Sequence, residues 1–313
     1  MARKEIFNEL SWSNSLGNNL AECPRKVWLG RFGSWQGWPT GSGDQQAKRL
    51  YMLKKLKSRH GWLGDLVHRG IKDILDRYRR GDRPTPEQSS LRWVAAMRGE
   101  FAASRRKDYL QIRQTIGLIE HHYGLEVSER SWKELAEKLE RCLHNLHQSA
   151  AFRELVGAHE EPFGEEEWLE TEELSSMMIA GVKVWVQLDH AWRRSDGSVE
   201  IIDWKTGREP RQKDLDQAAV YAAYGAEKWG VRIEQVRTRL VYLDDGQEII
   251  RTACAADVEA LNARVQADIA EFWARAMVVD QETGHCTAPM EAWPMTTDQK
   301  ICRWCEFQGE CGR

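Results

Sequence analysis

Two short stretches of this chain carry acids and a lysine at a spacing that could join them in one reaction. The first is Gln187-Leu188-Asp189-His190, and the second, beyond a turn signal at Gly197, is Ile202-Asp203-Trp204-Lys205-Thr206-Gly207. If the two stretches pair as a hairpin, Asp189 and Asp203 sit side by side. Lys205, two residues past Asp203, then shares its strand face, because side chains alternate along a strand. Two carboxylates bind a hard cation such as Mg2+ through oxygen, and a lysine beside them can orient an attacking water or stabilise charge building on a phosphoryl group. That chemistry is phosphodiester hydrolysis, with Asp189, Asp203 and Lys205 as candidate catalytic residues. An isolated D-x-K is more often an ion pair on a solvated strand, so the reading depends on what else converges there.

Three further groups bear on it. Gln217 and Tyr221 stand four residues apart in a helical segment, which places both on one face looking toward the strand ends. Upstream, Gly64-Asp65-Leu66-Val67-His68 offers a histidine inside another helix; it could complete a metal site, although a lone helical histidine is more often structural. The carboxyl end reads Cys302-Arg303-Trp304-Cys305 and then Cys311, a C-x2-C-x5-C pattern. Thiols gathered this closely read as metal ligands with a fourth to come from elsewhere, and four thiolates suit either a [4Fe-4S] cluster or tetrahedral zinc. Cys142, Cys254 and Cys286 show no such spacing and are expected to be buried thiols.

The histidine, the acid, the D-x-K and the Q-x-x-x-Y follow one another as they do in the RecB-like branch of the PD-(D/E)XK nucleases. Over nearly its whole length the chain resembles that branch, which includes CRISPR-associated spacer-acquisition nucleases and the nuclease domains of bacterial recombination helicases. The resemblance implies that His68, Asp189, Asp203 and the Trp204 carbonyl hold Mg2+ or Mn2+, that Lys205 assists the nucleophile, and that Gln217 and Tyr221 position DNA. It implies a metal-dependent deoxyribonuclease, an exonuclease on single-stranded DNA or DNA ends, in CRISPR adaptation, DNA repair or phage defence. A CRISPR integrase complex or a helicase is the partner it suggests.

Cys23, in Glu22-Cys23-Pro24-Arg25-Lys26, resembles the amino-terminal cysteine of iron-sulfur members of the same family. The resemblance therefore favours a [4Fe-4S] cluster on Cys23, Cys302, Cys305 and Cys311 over zinc, closing a loop of nearly the whole chain and holding both ends on the nuclease core. An earlier glutamate is also usual; Glu161, before Pro162 and Phe163, is the candidate, with Glu165, Glu166 and Glu167 competing. The chain departs from the branch where a glycine commonly precedes the first acid by two or three residues, since Trp185, Val186, Gln187 and Leu188 stand there. One rival reading is a partner-dependent or non-catalytic DNA-end-binding subunit of a helicase or integrase complex, against which the intact residue set argues. Another, a zinc-ribbon regulator, explains only the tail.

The elements that must position these residues follow from periodicity. Residues 45–148 are rich in Leu, Lys, Arg and Glu at helical spacing, and Leu135, Leu139, Leu143 and Leu146 make a one-sided stripe. Met177 to Trp192 is β-rich and Val199 to Trp204 is an apolar run; a helix is expected over Arg211 to Trp229. Strands are expected at Arg237 to Tyr242 and Gln247 to Thr252 around Asp244-Asp245-Gly246, then a helix from Ala256 to about Met277. The fold class is α/β: by resemblance, a restriction-endonuclease-like core with a mixed central sheet flanked by helices, plus an amino-terminal helical insertion and a carboxyl-terminal cysteine cluster. The boundaries this suggests are 1–44 for the segment with the first cysteine, 45–158 for the helical region, 159–280 for the core and 281–313 for the cluster segment.

Composition sets limits. The chain has 313 residues, 42% hydrophobic and 30% charged, with seven cysteines, a net charge of -3 and fifteen tryptophans. No apolar run approaches the roughly 18 residues of a membrane span, and the opening residues lack the apolar stretch of a secretory signal, so the expected location is the cytoplasm with no membrane partner. A reducing compartment makes clustered cysteines ligands rather than disulfides. The slightly acidic balance argues mildly against a nucleic-acid binder, since such domains are usually basic overall, but Lys48, Arg49, Lys54, Lys55, Lys57 and Arg59, then Arg77, Arg79 and Arg80, then Arg105, Arg106 and Lys107, are local basic knots that could line a channel or be solvated helix faces. Trp28, Trp35, Trp38 and Trp62 could stack on bases, although tryptophan is more often core.

Overall fold

Capping residues and apolar spacing account for the helices of the computed structural model, which describes residues 6–112, 114–157 and 167–311. The amino-terminal helices are short: α1 (Asn14–Glu22), α2 (Pro24–Trp28) and α3 (Gln45–Leu53). Ser13 and Asp44 cap α1 and α3 by accepting from the backbone N–H of Leu16 and Ala47, and Pro24 opens α2, where its missing N–H has no helical partner to lose. Longer helices follow: α4 (Arg59–Arg79), α5 (Pro86–Arg105), the short α6 (Ile119–Tyr123), α7 (Glu129–Gln148) and α8 (Ala150–Gly157). The leucine stripe predicted over 135–146 is the buried face of α7, with Cys142 inside it.

The strands begin with β1 (Trp168–Glu170), then a hairpin of β2 (Leu174–Ile179) and β3 (Val182–Gln187), then β4 (His190–Arg193) and β5 (Val199–Lys205). Ala180 and Gly181 both take positive φ, 49° and 77°, as the two-residue turn between β2 and β3 requires. After α9 (Gln212–Trp229) come β6 (Val236–Tyr242) and β7 (Gln247–Thr252), then α10 (Ala255–Trp273), β8 (Met277–Asp280), β9 (His285–Thr287) and α11 (Gln299–Cys302). Met277, expected at the end of a helix, opens a strand instead. Cys254, expected to be buried, is exposed: it lies in the turn between β7 and α10, where its N–H donates to Asp257.

Contacts divide the chain into two units. One comprises residues 57–175 and 186–259 and contains a five-stranded sheet in the order β1-β4-β5-β6-β7. β5 and β6 run parallel, joined through α9, and the other pairs are antiparallel. Alternation assigns the faces: Ile202, Trp204 and Val241 pack with the apolar faces of α4, α5 and α7, whereas Leu240 and Tyr242 pack with Leu215 and Ala218 of α9. Helices on both faces explain why six of the seven residues of β5 are buried. This is the mixed sheet flanked by helices that the resemblance implies.

The other unit comprises residues 1–56, 176–185 and 260–313 and gathers both termini. Its apolar cluster joins Leu20 and Val27 to Phe272, Cys286 and Trp293, and the indole N–H of Trp12 donates to Asp268. Among the described residues no helix is long and apolar enough to cross a membrane.

Inside the sheet unit Arg239 of β6 is 1% exposed and meets Glu200 of β5, which is fully buried, at 2.8 Å. Glu154 of α8 and Glu248 of β7 complete the guanidinium's partners, and Arg194 also reaches Glu200 at 2.6 Å. Removing one member of such a buried set leaves an uncompensated charge. Arg239→Met is expected to cost about 3 kcal/mol or more of unfolding free energy. Glu248→Gln, which still accepts from the Ala150 N–H, is expected to cost under about 1 kcal/mol. Urea unfolding of both variants checks this; equal losses would contradict it.

Candidate active site

The position of the two aspartates follows from strand register. His190 pairs with Ile202 in the antiparallel β4/β5 ladder, so one step back along β4 and one forward along β5 bring Asp189 opposite Asp203. Asp189 occupies the bend between β3 and β4 rather than a strand, and its Oδ2 accepts the Trp204 backbone N–H at 2.8 Å. Its Oδ1 faces Nδ1 of His68 at 3.2 Å. That histidine comes from the middle of α4, whose start is capped by Ser58 accepting from the Gly61 N–H.

On β5 the Lys205 ammonium lies 2.7 Å from Oδ2 of Asp203, the same-face relation expected of residues two apart. The ammonium also donates to Oε1 of Gln217 on α9 at 2.7 Å. Gln217 in turn donates through Nε2 to the Tyr221 hydroxyl at 2.6 Å, and that hydroxyl donates to the Gln187 carbonyl at 2.9 Å. The chain from Lys205 to Gln187 is thus closed at every link. Tyr221 is only 3% exposed, so its visible task is to fix Gln217 and through it the lysine.

Burial and mutual repulsion make the pair of acids unequal. Burial, and after it the neighbouring Asp189, push Asp203 up to about 7 in spite of Lys205. Asp189 is held below the usual carboxylate range: burial opposes this, but His68, Lys205 and the Trp204 N–H outweigh it. Burial likewise disfavours the charged form of His68, yet Asp189 raises it to about 9. His190, next to the acid, is a core histidine. Burial depresses it to about 3, its Nδ1 hydrogen-bonds with the Thr171 hydroxyl at 2.8 Å and its ring packs on Trp168.

Asp203 Oδ2 is buried beside the Lys205 ammonium, and the Asp203 side chain also interacts with that of Asp189; two adjacent carboxylates are a donor set that fits a hard cation. Among the described residues no three His, Cys, Asp or Glu side chains are arranged as a ready metal cage. Both oxygens of Asp189 are engaged by protein groups, the Trp204 N–H and His68.

Glu172 went unnoticed in the sequence. Its backbone sits in the left-handed region at φ 50°, its N–H donates to the Leu188 carbonyl at 2.9 Å, and burial, together with Asp189, raises its carboxyl. No local pattern marks it, because its place depends on the turn before β2. Glu161, Glu165 and Glu166 lie outside the described residues, and Glu167 directly precedes β1, its carbonyl accepting from the Arg193 N–H.

In the other unit Cys23, Cys302, Cys305 and Cys311 all line one cavity, with Lys26, Leu29, Met295, Ile301 and Gln308 among its other walls. The thiols share the cavity without being drawn together as a cage. Burial, then Glu306, push Cys305 up to about 12. Cys286 is engaged elsewhere, its thiol donating to the Asn8 carbonyl at 2.8 Å.

A family model described as the PD-(D/E)XK nuclease superfamily matches residues 11–312. No curated protein matches the sequence. Among solved structures, the protein SSO0001 is 16% identical, with 61% of this chain and 90% of that one covered and a TM-score of 0.28. A Eubacterium rectale protein provisionally described as an exonuclease is 11% identical, with 79% and 90% covered and a TM-score of 0.32.

Asp203 yields a pH prediction. Its pKa in the folded, metal-free protein is above the unfolded value of 3.8, so its contribution to stability is intact below about 4 and is lost as pH rises through about 7. Asn mimics the protonated acid. In EDTA the thermal midpoint of Asp203→Asn is expected to pull ahead of the wild type as pH rises from about 4 and to level off above about 7. Midpoints measured across that range check this, and a constant difference would contradict it.

Proposed function

We propose, on the premise that this chain belongs to the PD-(D/E)XK nuclease superfamily, that it is a divalent-cation-dependent deoxyribonuclease with Asp189, Asp203 and Lys205 as its catalytic residues. The observation that carries this reading is the Lys205 ammonium 2.7 Å from the Asp203 carboxylate, with Asp189 opposite in register. The groups proposed to hold Mg2+ or Mn2+ are Asp189, Asp203, His68 and the Trp204 carbonyl. A divalent cation there supplies Lewis-acid polarisation of the scissile phosphate and acidifies an attacking water.

The chain's own residues do the rest. A lysine ammonium has three donors, so with two directed at Asp203 and Gln217 one can meet the attacking water or a phosphoryl oxygen. Gln217 and Tyr221 fix that ammonium before substrate arrives, which removes an orientational cost from the reaction, and the pair is proposed to position the DNA, the buried Tyr221 acting through Gln217. His68 would have to give up the proton that Asp189 holds on it before serving as a cation ligand, so cation affinity is expected to rise with pH.

Exonucleolytic action on single strands or free ends, in CRISPR adaptation, DNA repair or phage defence, alone or beside an integrase or helicase, is proposed from the resemblance to the RecB-like branch alone. The shared cavity supports a [4Fe-4S] cluster on Cys23, Cys302, Cys305 and Cys311, with apolar Leu29, Met295 and Ile301 screening it and Lys26 offsetting thiolate charge.

Degradation of end-labelled single- and double-stranded DNA by anaerobically purified protein tests the first reading. Cleavage requiring Mg2+ or Mn2+, reduced at least about 100-fold in both Asp203→Ala and Lys205→Ala, is expected. Unchanged cleavage in the variants overturns it. For the cluster, iron and sulfide in equal amounts are expected, with Cys305→Ala losing soluble yield and DNA binding together. A stable, colourless, active Cys305→Ala protein overturns that part.

A further inference from the structure

A second polar cluster lies just past the carboxyl ends of β5 and β6, the parallel strands whose ends also carry Lys205. Leu243, which follows β6, donates its N–H to the Lys205 carbonyl at 2.8 Å and accepts from Asn145 of α7 through its own carbonyl. The next residue, Asp244, is 6% exposed, and three cations converge on it. Arg141 of α7 donates to Oδ1 through Nε and Nη2 at 2.8 and 2.6 Å, Arg208 donates to Oδ2 through Nε at 2.8 Å, and Lys138 of α7 stands 3.0 Å from Oδ2. The neighbouring acid Asp245 is turned away, with its Oδ1 accepting from the Gln247 N–H.

One buried carboxylate faced by three cations leaves positive charge in excess, and folding alone gives no reason to assemble like charges. Their outer faces remain available to a ligand, since the side chains of Lys138, Arg141 and Arg208 are 26%, 40% and 64% exposed. Arg208 is three residues beyond Lys205, in the loop leading to α9. Thr206 of that loop lies against Gly64 of α4, the helix that carries His68. The crevice beyond the carboxyl ends of parallel strands is where α/β sheets bind ligands. The basic knots visible in the sequence are spent differently: Lys57 pairs with Asp65, Arg77 with Asp82 and Arg106 with Asp108.

We infer that Lys138, Arg141 and Arg208, held in place by Asp244, form a cradle for backbone phosphates of the DNA strand entering the catalytic site. This rests on the nuclease reading and names residues that bind its substrate. Arginine forks match phosphate oxygens in paired contacts, and Asp244 orients both forks in advance. Each phosphate contact made on binding DNA releases a counterion, so removing one flattens the salt dependence.

The test is binding of a labelled single-stranded oligonucleotide, in EDTA so that none is cut, over a series of salt concentrations. Arg208→Gln and Arg208→Gln/Lys138→Gln are compared with Arg130→Gln, a cation at the far end of α7 that is 86% exposed and paired with Glu134. The slope of log affinity against log salt is expected to fall by about 0.7 per cation removed in the cradle variants and to stay at the wild-type value in Arg130→Gln. With Mg2+ present the larger part of the loss is expected in KM. Wild-type slopes in the Arg208 variants overturn the cradle while leaving the nuclease reading intact. A wild-type protein that neither binds nor cuts DNA overturns both.

Discussion

A carboxylate buried on the central strand of a sheet, with a second carboxylate beside it, is the constraint on which the candidate site depends. Two such groups about 4 Å apart repel by roughly 4 kcal/mol at the effective dielectric of a protein, and burial adds to that cost. The fold meets it unequally. Asp189 is satisfied from two sides, by the Trp204 N–H and by His68, and stays ionised, whereas Asp203, with Lys205 beside it, is pushed toward its protonated form by burial and by Asp189.

Everything close to this pair serves to keep it in place. The β4/β5 register sets the acids opposite each other, β5 beside β6 sets where Lys205 emerges, and α9 returns Gln217 over the lysine. The Arg239 and Glu200 pair lies between β5 and β6 and anchors α8 through Glu154, so the strands that define the site cannot slide without breaking a buried charge set. Polar and ionic groups dominate the candidate site, and the apolar faces of α4, α5, α7 and α9 supply the burial.

The unit that gathers the termini shows how distant segments become one structure. The Arg25 side chain donates to the Trp293 carbonyl at 2.7 Å, the Trp28 indole to the Ala288 carbonyl at 2.8 Å, and Lys26 meets Glu306 at 3.4 Å. The amino-terminal and carboxyl-terminal thiols reach one cavity because these contacts, and not a local motif, bring the two ends of the chain together.

The grouping of the candidate site residues, and much of the scaffold, were legible in the amino-acid order because the relations involved are short-range. Strand alternation places Lys205 on the face of Asp203, helical spacing places Gln217 over Tyr221, and the leucines of α7 repeat at helical intervals. Cys254, read as buried, failed because burial of a single thiol has no local signature. What only the tertiary structure decided are the encounters between residues far apart in the chain: Tyr221 closing on the Gln187 carbonyl, Glu172 turning in beside Asp189, and Arg141 meeting Asp244 across 103 positions. Periodicity records which side of an element a residue occupies, but the partner on that side is set by how whole elements pack, and packing is a property of the folded chain rather than of any window along it.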